Sequence, residues 1–184
     1  MLSSATTVGT GHARLVSMTT EDWEQRIAHA WASFDRYDEH EFRARMEKLA
    51  AELPPDSGPA LFERACAHDS TGDPERAVAL YEQALAQGLT GERRRRAVIQ
   101  LGSSLRNLGR AEESVALLTA ELEQPSDDLD DAVRAFLALA LTDTGREREA
   151  VSVALTALTP HLPRYHRSLA AYARLLVEPA PDGT

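Results

Sequence analysis

Lysine and cysteine are nearly absent from this chain of 184 residues. Lys48 is the single lysine beside 19 arginines, which indicates the coding bias of a GC-rich genome. Cys66 is the single cysteine, so no disulfide can form within the chain, and a reducing compartment fits. No segment approaches the roughly 18–20 apolar residues that cross a bilayer, and residues 1–18 lack the apolar core of a signal peptide. We therefore expect a cytoplasmic protein.

Acidic residues outnumber basic ones, and the formal net charge is −9. Nucleic acids and anionic membranes both attract proteins through basic patches, so neither is an expected partner. Hydrophobic residues make up 43% of the chain, which is enough for one domain with a continuous core.

No motif typical of an enzyme or a metal site occurs. A glycine-rich phosphate loop, a G-x-S-x-G elbow and an H-E-x-x-H motif are all missing. Cys66 and His68 are two residues apart, so on a helix their side chains point about 200° apart and cannot form a nucleophile–base pair. The six histidines lack the i, i+4 spacing of a helical metal site, and only His161 and His166 could meet across a helix start. We predict no catalytic residue, no metal and no cofactor.

Three copies of one motif, each built around a glycine, organise the rest of the sequence. They read TGDPERAVAL, LGRAEESVAL and TGREREAVSV, and Gly72, Gly109 and Gly145 recur after 37 and 36 residues. Such a period is typical of stacked helical hairpins. Each glycine is expected at the turn, where the residue after a helix end often needs the left-handed conformation. The pattern predicts helix pairs at residues 59–70 and 74–87, 92–107 and 111–123, and 128–143 and 146–158.

Small residues recur in phase with the glycines and predict close packing within each helix pair. Seven residues before the glycines stand Ala65, Gly102 and Ala138, and five after them stand Ala77, Ser114 and Ala150. Nine after the glycine, Tyr81 and Leu118 are large, whereas the third copy has Ala154.

This pattern resembles the tetratricopeptide repeat (TPR) family over roughly residues 20–177. More narrowly, ERRRRAVIQLGSSLRNLGR and LPRYHRSLAAYA are similar to the bacterial "group 5" branch. Leu61, Val98 and Arg134 stand where the family often has tryptophan, and Glu121 replaces a small residue. The resemblance implies an all-α, right-handed superhelix of antiparallel helix pairs, a TPR-like α-solenoid of about nine helices.

The expected domain organisation follows from the repeat register. Residues 1–18 are predicted to be a flexible arm or the product of an upstream start codon, since Thr19 opens a capping-box-like helix start. One TPR-like helical repeat domain spans residues 19–178. It is divided into a degenerate unit 19–54, units 58–90, 91–125 and 127–160, and a capping helix 162–177. Residues 179–184 are a flexible tail.

The resemblance also implies a peptide-binding groove on the inner faces of the first helices. Mapped by distance from each glycine, the candidate groove residues are Phe62, Cys66, Asp69, Arg96, Ile99, Ser103, Arg106, Asn107 and Leu139. Relatives that bind chaperone tails use a clamp of several asparagines and lysines. This chain has one of each, which argues against that function.

Two features of the candidate groove leave alternatives open. Arg93, Arg94, Arg95 and Arg96 start a helix, where cations oppose the macrodipole, so they either form a solvated end balanced by acidic residues or contact a ligand. Asp69 and Arg106 lie at equivalent levels of adjacent units, so Arg106 either recognises a ligand's carboxylates or carbonyls or pairs with Asp69.

The main functional hypothesis is a non-enzymatic module that binds a peptide or protein segment on its concave helical surface. A self-assembling, homo-oligomeric repeat protein is the alternative, and an enzyme is a distant third. The identity of any partner is beyond the sequence.

Overall fold

The computed structural model describes the backbone of residues 10–178 and the side chains of residues 21–178, and this part of the chain is all-α. Its longer elements are nine α-helices, joined by loops and two short 3₁₀ helices. They are α1 (Thr10–Trp31), α2 (Glu39–Ala50), α3 (Gly58–Ser70), α4 (Pro74–Ala86), α5 (Gly91–Asn107), α6 (Ala111–Leu122), α7 (Asp130–Asp143), α8 (Glu147–Leu158) and α9 (His166–Leu175). The predicted fold class is confirmed, and α3 to α8 lie within two residues of their predicted bounds.

The first helix begins earlier than the sequence indicates. Its backbone is helical from Thr10, so the chain passes through the capping-box-like motif at Thr19 without a helix start there. No proline or glycine interrupts residues 12–22, and the helix therefore has no reason to stop. Residues 1–9 and 179–184 lie outside the described part, so the flexibility of the arm and the tail stays a prediction.

The three glycine turns are the same structure repeated. Gly72, Gly109 and Gly145 have φ angles of 77°, 74° and 74°, which confirms the predicted left-handed conformation. In each turn the amide after the glycine donates to a carbonyl five residues earlier, as in Asp73 N to His68 O at 3.0 Å. This bond pairs a carbonyl of the last helical turn and fixes the chain reversal.

Within each pair the two helices meet at the small residues. Ala65 and Ala77 are fully buried where α3 meets α4, and Ser114 Oγ of α6 donates to the carbonyl of Gly102 in α5 at 2.7 Å. A Cβ atom on Gly102 would lie 2.9 Å from Cγ and Cδ1 of the buried Leu118. The close approach predicted from the repeat pattern is therefore real at this position.

Consecutive units are joined because each second helix is covered by the first helix of the next unit. In α4, Val78 and Tyr81 are buried in one cluster with the α5 side chains Ala97, Leu101 and Leu105. In α6, Val115 and Leu118 are buried in one cluster with the α7 side chains Val133, Leu137 and Leu141. These apolar stripes on α4 and α6 make the core continuous from one unit to the next.

Helix α9 does not cover α8 in the way that α5 covers α4 and α7 covers α6. The α8 stripe, formed by Val151, Ala154 and Leu158, occupies the equivalent positions but is exposed, with Val151 and Leu158 close to half exposed. Helix α9 instead packs on another side of α8, where Ser152 Oγ donates to the carbonyl of Ala173 at 2.7 Å. The predicted cap therefore lies beside the end of the stack rather than over its open stripe.

Replacing Gly102 with alanine should destabilise the protein, although alanine is the better helix former. Overpacking against Leu118 is worth about 1–3 kcal/mol, which exceeds the gain of about 1 kcal/mol from helix propensity. We expect urea denaturation to show a net loss of up to about 2 kcal/mol. Combining Gly102→Ala with Leu118→Ala should cost less than the sum of the two single changes, because the truncated side chain frees the space. Additive losses would contradict the proposed contact.

Candidate functional site

The first helices of the three glycine-centred units form one continuous face, which we call the inner face. Helix α5 packs against α3 on one side and against α7 on the other. Polar side chains bridge these neighbours, so the face has a seam between α3 and α5 and another between α5 and α7. The predicted groove residues lie on these three helices.

The predicted residues differ widely in exposure. Phe62, Cys66 and Ile99 are buried beneath the inner face. Arg96, Asn107 and Leu139 are exposed, whereas Asp69, Ser103 and Arg106 are partly buried. The second and third groups are therefore accessible from solvent, while the buried three support the face from below.

Cys66 belongs to the seam between α3 and α5. Its thiol donates to Oε1 of Gln100 at 3.3 Å, and burial, with a smaller contribution from the charge of Glu63, raises its pKa to about 12. The nearby His68 ring lies 2.9 Å from Asp73 instead. The sequence argument against a Cys66–His68 pair therefore agrees with the separate partners of the two side chains.

Asp69 and Arg106 have different partners, so they do not pair with each other. Asp69 accepts hydrogen bonds from Ser104 Oγ at 2.8 Å and from the Tyr81 hydroxyl at 3.3 Å. Burial raises the pKa of the Asp69 carboxyl, and the two hydrogen bonds offset part of that rise. Arg106 crosses the other seam, with Nε 2.5 Å from Oδ2 of Asp143. The alternative of an Asp69–Arg106 ion pair is wrong.

Arg93, the first of the four consecutive arginines, ties α5 to two earlier helices. Its guanidinium donates to both carboxylate oxygens of Glu24 in α1 and also to Glu63 in α3. Glu63 is buried and accepts a further bond from the Trp31 indole at 2.9 Å. Arg93 thus satisfies a buried carboxylate while linking three units.

Arg94 and Arg95 point toward the following helices. Arg94 makes a bidentate pair with Glu121 of α6, at 2.6 and 2.8 Å. Arg95 is 3% exposed and donates to the carboxylate and carbonyl of Glu121 and to Asp130 at the start of α7. Its Nε also lies 3.3 Å from Asp127. This buried cluster joins α5, α6 and α7.

Arg96 differs from the other three arginines of the cluster. Its side chain is 46% exposed, and its ion-pair partner among the described residues is Glu92, at the outer limit of 4.0 Å. The guanidinium lies over the Phe62 ring, 5.3 Å from the centroid. It also borders an open cleft of about 510 Å³, lined in addition by Glu24, Pro59 and Arg93. Arg96 is therefore available to a ligand in a way that its three neighbours are not.

Several important side chains were missed from the sequence. Four of them are partners of the residues described above, and each stands on another helix, 26 to 37 positions away: Glu63, Gln100, Glu121 and Asp143. Of these four residues, only Glu121 could have been singled out from the sequence, because a carboxylate stands there in place of the small residue that the repeat pattern predicts. A buried acid on one helix requires a cation on its neighbour.

Over the described range the structure contains no group of three or more histidine, cysteine or acidic side chains placed to hold a metal. His161 contacts Asp131 at 2.9 Å and His166 contacts the carbonyl of Leu162, so the two histidines have separate partners. Among the helices that the structure describes, none combines the length and apolarity needed to span a membrane.

A comparison with protein-family models gives a match to the tetratrico peptide repeat over residues 58–176, which is well over half of the chain. A search of curated proteins found no match. The family match covers α3 to α9 and therefore includes the whole inner face.

Replacing Arg95 with methionine should destabilise the fold strongly, because it leaves Glu121 buried with one partner fewer. Breaking a buried ion pair costs about 3–5 kcal/mol, and we expect a loss near the lower end in urea denaturation because Arg94 remains. The double change Arg95→Met and Glu121→Met should recover most of this loss.

The matched control is Arg96→Met, one residue along, which should change stability by less than about 0.5 kcal/mol. Equal effects of the Arg95 and Arg96 substitutions would contradict the assigned roles.

Proposed function

Because the chain belongs to the tetratrico peptide repeat family, whose members generally mediate protein–protein interactions, we propose that this protein binds a peptide or protein segment on its inner face. The binding residues are the exposed and partly exposed members of the predicted groove. They are Asp69, Arg96, Ser103, Arg106, Asn107 and Leu139, with Phe62, Cys66 and Ile99 supporting them from below.

The observation that carries this proposal is the state of Arg96. Three arginines in the same helical turn are engaged with carboxylates of other helices, whereas Arg96 is about half exposed beside an open cleft. An arginine held over an aromatic ring keeps its planar fork oriented, which favours paired hydrogen bonds to a carboxylate. We infer that the bound segment carries an acidic side chain or a C-terminal carboxylate at this point.

Apolar contact comes from the neighbouring first helix. Leu139 of α7 is 48% exposed, and Ala135 and Thr142 on the same helix are exposed as well. Small side chains around one leucine leave room for an apolar side chain of the ligand. The segment we propose is therefore acidic at one end and apolar at the other.

Arg106 is less accessible to a ligand than Arg96. Its Nε is already paired with Asp143, and its side chain is 20% exposed. It contacts a ligand only through the remaining nitrogens, so we expect it to contribute less than Arg96.

We propose that the module is non-enzymatic and works in a bacterial cytoplasm. The separation of Cys66 from His68 and the raised pKa of the thiol support the first statement, since a reactive cysteine needs a stabilised thiolate. The single buried cysteine and the arginine-rich, lysine-poor composition support the second.

The test uses a displayed library of random peptides, selected on the purified protein, followed by calorimetry with synthetic copies of the selected peptides. We expect selected sequences that combine an acidic group with an apolar residue. Arg96→Ala should weaken binding about 30-fold or more, as for a hot spot worth about 2 kcal/mol. Leu139→Ala should weaken it less, and neither change should alter the thermal midpoint appreciably.

Arg110→Ala is the matched control, because Arg110 is also partly exposed and paired, with Glu113, but stands at the start of α6. It should leave affinity unchanged. Selected peptides that bind the Arg96→Ala and Leu139→Ala variants as tightly as the wild type would exclude the inner face as the binding site.

A further inference from the structure

The exposed α8 stripe is the surface that sets the third unit apart. Its members, Val151, Ala154 and Leu158, are three and four residues apart and thus share one side of the helix. In the first unit the equivalent Val78 and Tyr81 are 4% and 0% exposed and Leu85 is partly buried. In the third unit Val151 and Leu158 are 48% and 47% exposed, and Ala154 is exposed as well. A position built to lie under a helix is therefore open in the last unit.

The displacement of α9 explains why the stripe is open. Ala79 and Glu82 on α4, and Ala116 and Thr119 on α6, face solvent, but the equivalent Ser152 and Leu155 on α8 are buried and partly buried. Helix α9 thus lies on the side of α8 that the other two second helices leave bare. A 3₁₀ turn at Thr159–His161 and a left-handed residue at Tyr165 redirect the chain between α8 and α9.

Exposed apolar surface is concentrated at this end of the molecule. Within the described residues, the large apolar side chains with the greatest exposure all follow residue 138, and they include both ends of the α8 stripe. These side chains lie on different faces, since Leu139 belongs to the inner face and Tyr172 and Leu175 belong to α9. On α8 itself, however, the three members of the α8 stripe are exposed together, and an exposed apolar stripe marks an interaction surface.

We propose that the α8 stripe is the interface of a homodimer, in which two copies of α8 pack antiparallel about a two-fold axis beside Ala154. The stripe is self-complementary in this arrangement, because Val151 of one copy meets Leu158 of the other, and the reverse. The small side chain of Ala154 lets the helices approach closely at the axis. The same position holds the large Tyr81 and Leu118 in the earlier units, where a first helix of the same chain covers it.

The charges at the two ends of the stripe favour the antiparallel pairing of identical helices. Glu147 is exposed at the start of α8, whereas Arg164 is exposed just beyond its end. Antiparallel packing brings Glu147 of each copy toward Arg164 of the other. Parallel packing would set like charges against each other, which is unfavourable.

The local charge also suits a second copy of this chain. Residues 146–178 contain five arginines and three glutamates, a net charge of +2, while residues 1–145 contain 15 basic and 25 acidic residues, a net charge of −10. The end that carries α8 is therefore less acidic than the rest of the chain, so a contact there adds less repulsion between two copies of net charge −9 than a contact elsewhere would. The interface lies on a second helix, so it leaves the proposed peptide site on the first helices free.

One helix pair buries less area than a standard stable interface, so the dimer is weak. We expect sedimentation equilibrium to show a reversible monomer–dimer equilibrium with a dissociation constant on the order of 10–100 µM. Leu158→Asp should raise this constant at least 10-fold, and Ala116→Asp, on the exposed side of α6, should leave it unchanged. Circular dichroism checks that both variants keep the wild-type helix content.

Disulfide cross-linking locates the axis. The Ala154→Cys variant should form a disulfide-linked dimer under mild oxidation, since symmetry brings the two new thiols together. Ala116→Cys is the matched control, and the wild type should give no product because Cys66 is buried with a raised pKa. Rapid dimer formation by the Ala154→Cys variant at about 50 µM, with little dimer from the Ala116→Cys variant, supports the interface.

Three results would overturn the proposal. The first is a monomer at all concentrations up to about 500 µM, well above the expected dissociation constant. The second is cross-linking of the Ala154→Cys variant no faster than that of the Ala116→Cys control. The third is a series of masses beyond the dimer, because a head-to-tail contact between different surfaces grows into open chains whereas a two-fold contact closes.

Discussion

Burial of each second helix by the first helix of the next unit is the contact on which the fold depends. Tyr81 and Leu118 have no exposed surface only because α5 and α7 lie over them. An isolated helical hairpin would leave this stripe in water, so a unit is stable only beside its neighbour. The same dependence makes the end of the stack special, since the unit without a successor keeps its stripe open.

Helix α5 also joins the units through ion pairs to helices on both sides of it. Arg93 reaches back to α1 and α3, whereas Arg94 and Arg95 reach forward to α6 and α7. Their carboxylate partners include the buried Glu63 and Glu121, which could not be desolvated without them. The unfavourable position of four cations at a helix start is thus offset by contacts of three of them in three other units, whereas the fourth, Arg96, is about half exposed.

Local features of the fold were readable from the sequence, and the contacts between units were not. The glycine turns and the helix bounds follow from neighbours within a few residues, so Gly72, Gly109 and Gly145 behave as predicted. The partners of Arg95 and the position of α9 depend on residues that meet only after the units stack. Ala154 shows the difference best: the sequence marks it as a departure, but only the stack shows that it leaves a stripe uncovered.

Native-state hydrogen exchange tests the central claim that neighbouring units stabilise one another through α5. In dilute protein under mild denaturant, the amides of α5 should exchange only with global unfolding, because α5 contacts helices on both sides. The amides of α9 should exchange through a smaller, separate opening, since Ala173 is its one buried side chain among those described. Protection of α9 equal to that of α5, or exchange of α5 at a lower free energy than α9, would contradict the account.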